Sequence, residues 1–238
     1  MPTIRFWPSV LLLAGLLVSH AHAIHADDTR AQVLAILKKV ETVGPFRCTG
    51  VATGTAFKDG QPNPRGTATS RIWQKGPYYR SEPVGQKSGI IINRPEGFFI
   101  CEEKTGTCIQ PPDFSKETVL QEFKMPPNAT TGVERIWSDL LDSQDLKIIG
   151  RSVVDGKPAT IVAYTTSQFG LERSGKVWLW NDNGLALKTE VTITTNGAGA
   201  VVVTQRAELT NFVFEDIADS LFEVPQGQVQ KIPEDWHP

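Results

Sequence analysis

Residues 175–225, GKVWLWNDNGLALKTEVTITTNGAGAVVVTQRAELTNFVFEDIADSLFEVP, leave a folding chain few options. The apolar runs here are strand-length, at 176–180, 185–193 and 201–214, and only turn chemistry joins them. Asn181-Asp182-Asn183-Gly184 supplies residues that tolerate positive φ, and Gly197-Ala198-Gly199 marks a second reversal. No crossover helix fits between the runs, so neighbouring strands pair as an antiparallel meander. The stretch is rich in apolar sheet and poor in catalytic residues. It suits a protein that holds something greasy rather than one that converts it.

The same rhythm fills residues 46–109. Strand-like runs at 46–57, 66–75, 78–83, 89–93 and 97–101 are each bounded by Gly or Pro. It returns at 146–166, with a turn at Asp155-Gly156-Lys157-Pro158. Helical spacing occurs in three places. Residues 29–43 bring Val33, Ile36, Leu37 and Val40 onto one stripe, with Asp28 or Thr29 as cap and Gly44-Pro45 as stop. Residues 115–123 and 132–141 are the others; the last aligns Val133, Ile136, Trp137, Leu140 and Leu141. It reads either as a helix packed on the sheet or as a lid over a cavity.

The first residues form a separate object. Arg5, the apolar run 10–18 and Ala21-His22-Ala23 have the order of a secretory signal, with cleavage after Ala23 or Ala26. The run is far shorter than the roughly 20 apolar residues a spanning helix needs. The expected divisions are a leader at 1–23, one domain at 27–230 and a tail at 231–238, in a periplasmic, monomeric protein. Without Arg5 the charge is 23 basic against 26 acidic, and that balance argues against a nucleic-acid partner.

All four histidines, His20, His22, His25 and His237, lie at the margins. The body therefore lacks the imidazole of Ser-His-Asp or Cys-His catalysis and of histidine zinc sites. Carboxylate candidates remain in Glu102, Glu103, Asp139, Asp142, Asp182, Glu215, Asp216 and Asp219, each more simply a solvated charge. No catalytic residue, metal site or cofactor is expected. Cys101 and Cys108 flank a hairpin tip with Gly106 in the left-handed position, and a structural disulfide is the expected pairing. Cys48 is then the odd thiol, expected to be buried as a small apolar residue.

A single sheet of about ten or eleven antiparallel strands has to curl or split. The class is mainly β with helices (α+β), with Trp73, Tyr79, Phe99, Trp178 or Trp180, and Phe212 or Phe214 on one face and helices against it. A tight fit makes a core; a loose one makes an apolar pocket.

The order of elements and several phrases resemble the LolA/LolB-like superfamily of periplasmic lipoprotein carriers over nearly the whole body. The phrases are RIWQKGPYYR at 71–80, IIIN at 90–93 before GFF at 97–99, KVWLW at 176–180 with GLALK at 184–188, and the ending from NF at 211–212 to LFEVP at 221–225. The resemblance implies a half-barrel of about eleven strands, closed on its concave side by helices, with a cavity for acyl chains. It implies a lipid or an acylated protein as partner; the alternative within the same fold is an envelope sensor that contacts another protein, with an inner-membrane exporter or an envelope-stress regulator as that partner. Lys75 or Arg80 matches the position of a basic residue that assists acyl release. The ligand-facing candidates are Trp73, Tyr79, Arg80, Ile91, Phe99, Ile136, Trp137, Leu140, Trp178, Trp180 and Phe212.

Overall fold

A computed structural model describes residues 24–58, 60–85, 89–102, 104–110, 139–143, 145–168, 171–195, 201–225 and 229–231. The expected helices at 115–123 and 132–141 lie outside these residues, apart from a helical turn at 139–141.

The described residues open with helix α1 (Ile24–Leu37), continued by a 3-10 segment over Lys38–Thr42. Thr42 Oγ1 donates to the Lys39 carbonyl at 2.8 Å and the Val43 amide to the Val40 carbonyl at 3.0 Å, tightening the end just before Gly44-Pro45. The expected stripe is real. Val33 and Leu37 are buried against Val162, Tyr164, Val177 and Leu179 of the sheet, with Ile36 partly buried beside them.

Among the described residues twelve strands follow: β1 (Phe46–Lys58), β2 (Gln61–Lys75), β3 (Tyr78–Pro83), β4 (Ile90–Arg94), β5 (Gly97–Cys101), β6 (Cys108–Gln110), β7 (Lys147–Val154), β8 (Lys157–Gln168), β9 (Leu171–Trp180), β10 (Ala186–Thr195), β11 (Val202–Phe214) and β12 (Val229–Lys231). They form one open curved sheet in the order β12-β6-β5-β4-β3-β2-β1-β11-β10-β9-β8-β7. The expected count of about eleven is exceeded by β12, which lies at the border of the expected tail and pairs in parallel with β6. Every other pairing among the described strands is antiparallel, and β1 joins the two meanders by pairing with both β2 and β11.

The turns follow the chemistry of the sequence. Asp155 and Gly156 both take positive φ, 47° and 72°, as the two-residue β7–β8 hairpin demands. Gly184, at φ 76°, closes the β9–β10 turn with its amide on the Trp180 carbonyl at 2.7 Å. A Cβ there would sit 2.3 Å from the Ile36 carbonyl oxygen of α1, so this turn requires glycine for conformation and for close approach.

Two features hold the borders. Past β11 the chain recrosses the sheet through a 3-10 turn at Asp219–Phe222 and buries Ile217 and Phe222 before pairing as β12. Cys101 and Cys108 are direct register partners and form the disulfide, and Val224 packs on their cluster with Ile90, Ile92 and Phe99. At the other border β7 is the free edge among the described strands. It carries a bulge between Ile148 and Gly150, and Ile149 and Val153 stand exposed.

Candidate ligand pocket

In antiparallel pairing, residues directly opposite share a face. Cys48, Gly50, Ala52, Gly54 and Ala56 on β1 therefore form one row of small side chains, alternating with Thr49, Val51, Thr53 and Thr55. Ile72, Ser70 and Ala68 of β2 lie opposite Cys48, Gly50 and Ala52. Leu209 and Ala207 of β11 lie opposite Gly50 and Ala52 on the other side. A methyl built on Gly50 would come 2.8 Å from Ile72 Cδ1 and 3.3 Å from Leu209 Cδ2, so these two side chains lean over bare backbone.

The volume left by these small residues is a cavity of about 190 Å³, with Phe46, Ile72, Val191, Ile193 and Leu209 among its apolar walls. Tyr79 of β3 and Tyr164 of β8 both line it. Those strands are six steps apart in the sheet. On a flat sheet, at about 4.8 Å per step, they would lie about 29 Å apart. The sheet curls toward this side, and the cavity occupies its concave face.

Polar side chains also line the cavity, Ser70, Gln74, Ser81 and Gln205 among them. Tyr79 is buried, and burial pushes its hydroxyl up to about 12, against the opposing hydrogen bond with Ser81. Cys48 packs beneath with Phe46 and Leu185; burial raises its thiol to about 12, so it stays protonated and unreactive at neutral pH. At the other end Arg173 of β9 pairs through Nη1 with Asp139 Oδ1 at 3.1 Å, with side-chain exposures of 11% and 6%. Asp139 is thus a buried, paired carboxylate and not the solvated charge expected of it. Two residues further along β9, Gly175 makes room for the Glu190 carbonyl and the Tyr164 ring, which a Cβ there would meet at 2.6 and 3.1 Å.

The residues around Asp139 are fastened on several sides. Arg30 of α1 donates to the carbonyls of Leu141 and Ser143. Ser143 Oγ donates to the Thr165 carbonyl at 3.0 Å and accepts from the Thr165 amide at 3.3 Å. Leu140, a sequence candidate, is buried in the cluster that α1 makes with β8 and β9.

The other candidates divide by face. Tyr79 lines the cavity, and Ile91 shares its face through pairing with Ser81. Trp73, Arg80 and Phe99 share the opposite face, because Trp73 pairs with Arg80, Arg80 with Ile92 and Ile92 with Phe99. Trp178 and Trp180 also lie there and pack with Val154, Ala159 and Leu187, with the Lys188 ammonium 4.1 Å from the Trp178 ring centroid. Phe212 sits at the sheet's end, with ring centroids 5.5 Å from Phe46 and 5.6 Å from Trp180. The expectation of one aromatic face is corrected: the large rings occupy two. Ile136 and Trp137 lie outside the described residues.

Lys75 and Arg80 are both engaged by the recrossing segment. Lys75 donates to the Ile217 carbonyl and to Asp219, and Arg80 donates to the Leu221 carbonyl at 2.8 Å while pairing with Glu82. The carboxylate candidates have ordinary structural partners. Glu102 accepts from Thr105, Asp182 from the Trp180 indole, and Glu215 from Arg47. Glu103 lies outside the described residues, and among the described ones no group of three or more His, Cys, Asp or Glu could hold a metal ion. The pocket-forming residues Gly50, Ala52, Ala68 and Ser70 were not among the candidates, although the alternation of small residues along β1 marks them.

No protein-family model matches the chain, and no curated protein matches it. Among solved structures it is similar to a DUF1329 family protein from Desulfovibrio piger, with TM-score 0.43 and 13% identity over 85% of this chain and 98% of that one. It is also similar to LprF from Mycobacterium bovis, with TM-score 0.39 and 11% identity over 81% of this chain and 96% of that one. The Mycobacterium tuberculosis lipoprotein LppX gives TM-score 0.34 and 10% identity over 81% of this chain and 98% of that one. Likeness at this level says nothing about what the chain binds.

Proposed function

We propose that this protein is a non-enzymatic carrier that holds a hydrophobic ligand, an acyl chain of a lipid or of an acylated protein, on the concave face of its sheet. The observation that carries the reading is the cavity itself. Gly50, Ala52, Ala68 and Ala207 leave unfilled volume on the inner side of a curved sheet, between walls of Phe46, Ile72, Ile193 and Leu209. A close-packed interior does not leave such volume without cost, because its lining lacks contact partners. An acyl chain supplies them, and each methylene withdrawn from water contributes about 0.8 kcal/mol. Affinity of this kind needs no catalytic group.

In this reading α1 covers part of the concave face over β8 and β9, and Asp139, within the fastened residues 139–143, lines the cavity. The domain spans 27–230 after removal of a leader, and the protein works in the periplasm as a relative of the LolA/LolB-like carriers. The test is native mass spectrometry of protein purified from its own envelope, with titration of the apolar fluorophore N-phenyl-1-naphthylamine. A co-purifying lipid and saturable fluorescence are expected. An empty protein that leaves the fluorophore dark rejects the proposal.

A further inference from the structure

Within that carrier reading, on which this inference rests, we propose that Arg173 selects the ligand's head: a neutral oxygen acceptor, such as the carbonyl of an esterified acyl chain, in preference to a free carboxylate. Arg173 lines the cavity and is itself 9% exposed. Its guanidinium carries N–H donors in a fixed fork and accepts nothing. Nη1 is taken by Asp139 at 3.1 Å, while Nε is buried and has no hydrogen-bond acceptor among the described residues. A buried donor without an acceptor is unfavourable, so an oxygen brought in by the pocket's occupant relieves a penalty present in the empty protein.

The charge of that oxygen follows from Asp139. The Arg173–Asp139 pair is already neutral, and both side chains are almost wholly withdrawn from water. A second carboxylate would bring its negative charge beside Asp139 where solvent screens poorly, and would give up its own hydration as well. A carbonyl oxygen accepts the same N–H without that repulsion. Lys188 and Arg206 border the cavity, but strand pairing puts their side chains on the opposite face with Trp178 and Thr53, where Lys188 meets Glu190 at 2.8 Å and Arg206 lies 3.6 Å from Glu208.

The experiment displaces N-phenyl-1-naphthylamine at pH 8 with three ligands that share one chain: methyl hexadecanoate, hexadecanoate and hexadecane, each delivered from cyclodextrin. Wild-type protein should release the fluorophore at methyl hexadecanoate concentrations at least tenfold below those of the other two. Arg173→Met should erase the ester's advantage over hexadecane, so that the two displace the fluorophore at similar concentrations. Asp139→Asn, which leaves the guanidinium charge uncompensated, should reverse the order so that hexadecanoate displaces best; it also serves if Arg173→Met does not fold. Equal displacement by all three ligands overturns the head-group assignment and leaves the carrier standing. Wild-type preference for hexadecanoate overturns it in favour of an anion site. Fluorophore that never binds rejects the carrier reading itself.

Discussion

The two faces of the sheet are built by opposite rules. The concave face sets Gly50, Ala52, Ala68 and Ser70 side by side and keeps a cavity. The outer face carries Trp73, Phe99, Trp178 and Trp180, and the recrossing segment adds Phe222 to the Tyr78 ring at 5.8 Å. Large side chains fill a face and small ones leave it open. Rings on the outer face serve stability, and their contribution to binding a ligand on the far side is indirect.

That contrast can be broken in several places. The largest effect is expected from Phe222→Ala, a residue 2% exposed, at about 3–5 kcal/mol of stability. Chemical denaturation should show this loss, while fluorophore affinity per folded molecule changes less than twofold. A comparable loss of affinity would mean that the outer face shapes the pocket. Ala52→Trp should do the reverse: overpacking costs about 1–3 kcal/mol, but the filled cavity should lose fluorophore binding at least tenfold in a titration.

A third test uses pH. Burial raises the Cys48 thiol from 9.0 to about 12 and the Tyr79 hydroxyl from 10.0 to about 12. Between those limits the folded protein retains protons that the unfolded chain has released. The stability held below pH 9 should therefore fall as pH rises toward 12. Urea melts at pH 8, 9.5 and 10.5 should show the decline, with a shallower slope in Cys48→Ala; equal slopes would place the thiol in contact with water. The smallest effect belongs to Arg47→Ala, whose partner Glu215 is itself 44% exposed. Its stability change should stay within about 1 kcal/mol and its binding should match wild type.

Much of the architecture was legible because it is local. The α1 stripe, the Asp155-Gly156 hairpin and the Cys101–Cys108 pairing each depend on residues close in sequence. The direction of curvature was not. Alternation along a strand separates two faces without saying which becomes concave, and closure here depends on pairing between β1 and β11, far apart in the chain. Trp73 and Trp178 are conspicuous as apolar residues, but they mark a filled surface. The signal for the cavity lay in Cys48, Gly50, Ala52, Gly54 and Ala56, a row whose meaning appears only when Ile72 and Leu209 are seen leaning over it. Nothing near Asp139 in the sequence signals its burial, because its partner Arg173 is 34 residues away.

The bulge in β7 has a consequence for the protein in a crowded solution. A long edge strand with uncovered Ile149 and Val153 is the kind of border along which copies stack into fibrils. The extra residue between Ile148 and Gly150 throws a docking strand out of step, and Lys147 and Arg151 place positive charge beside the apolar residues. The opposite border ends in a strand of only three residues. A sheet left open to keep a cavity is in this way kept from polymerising through its sides.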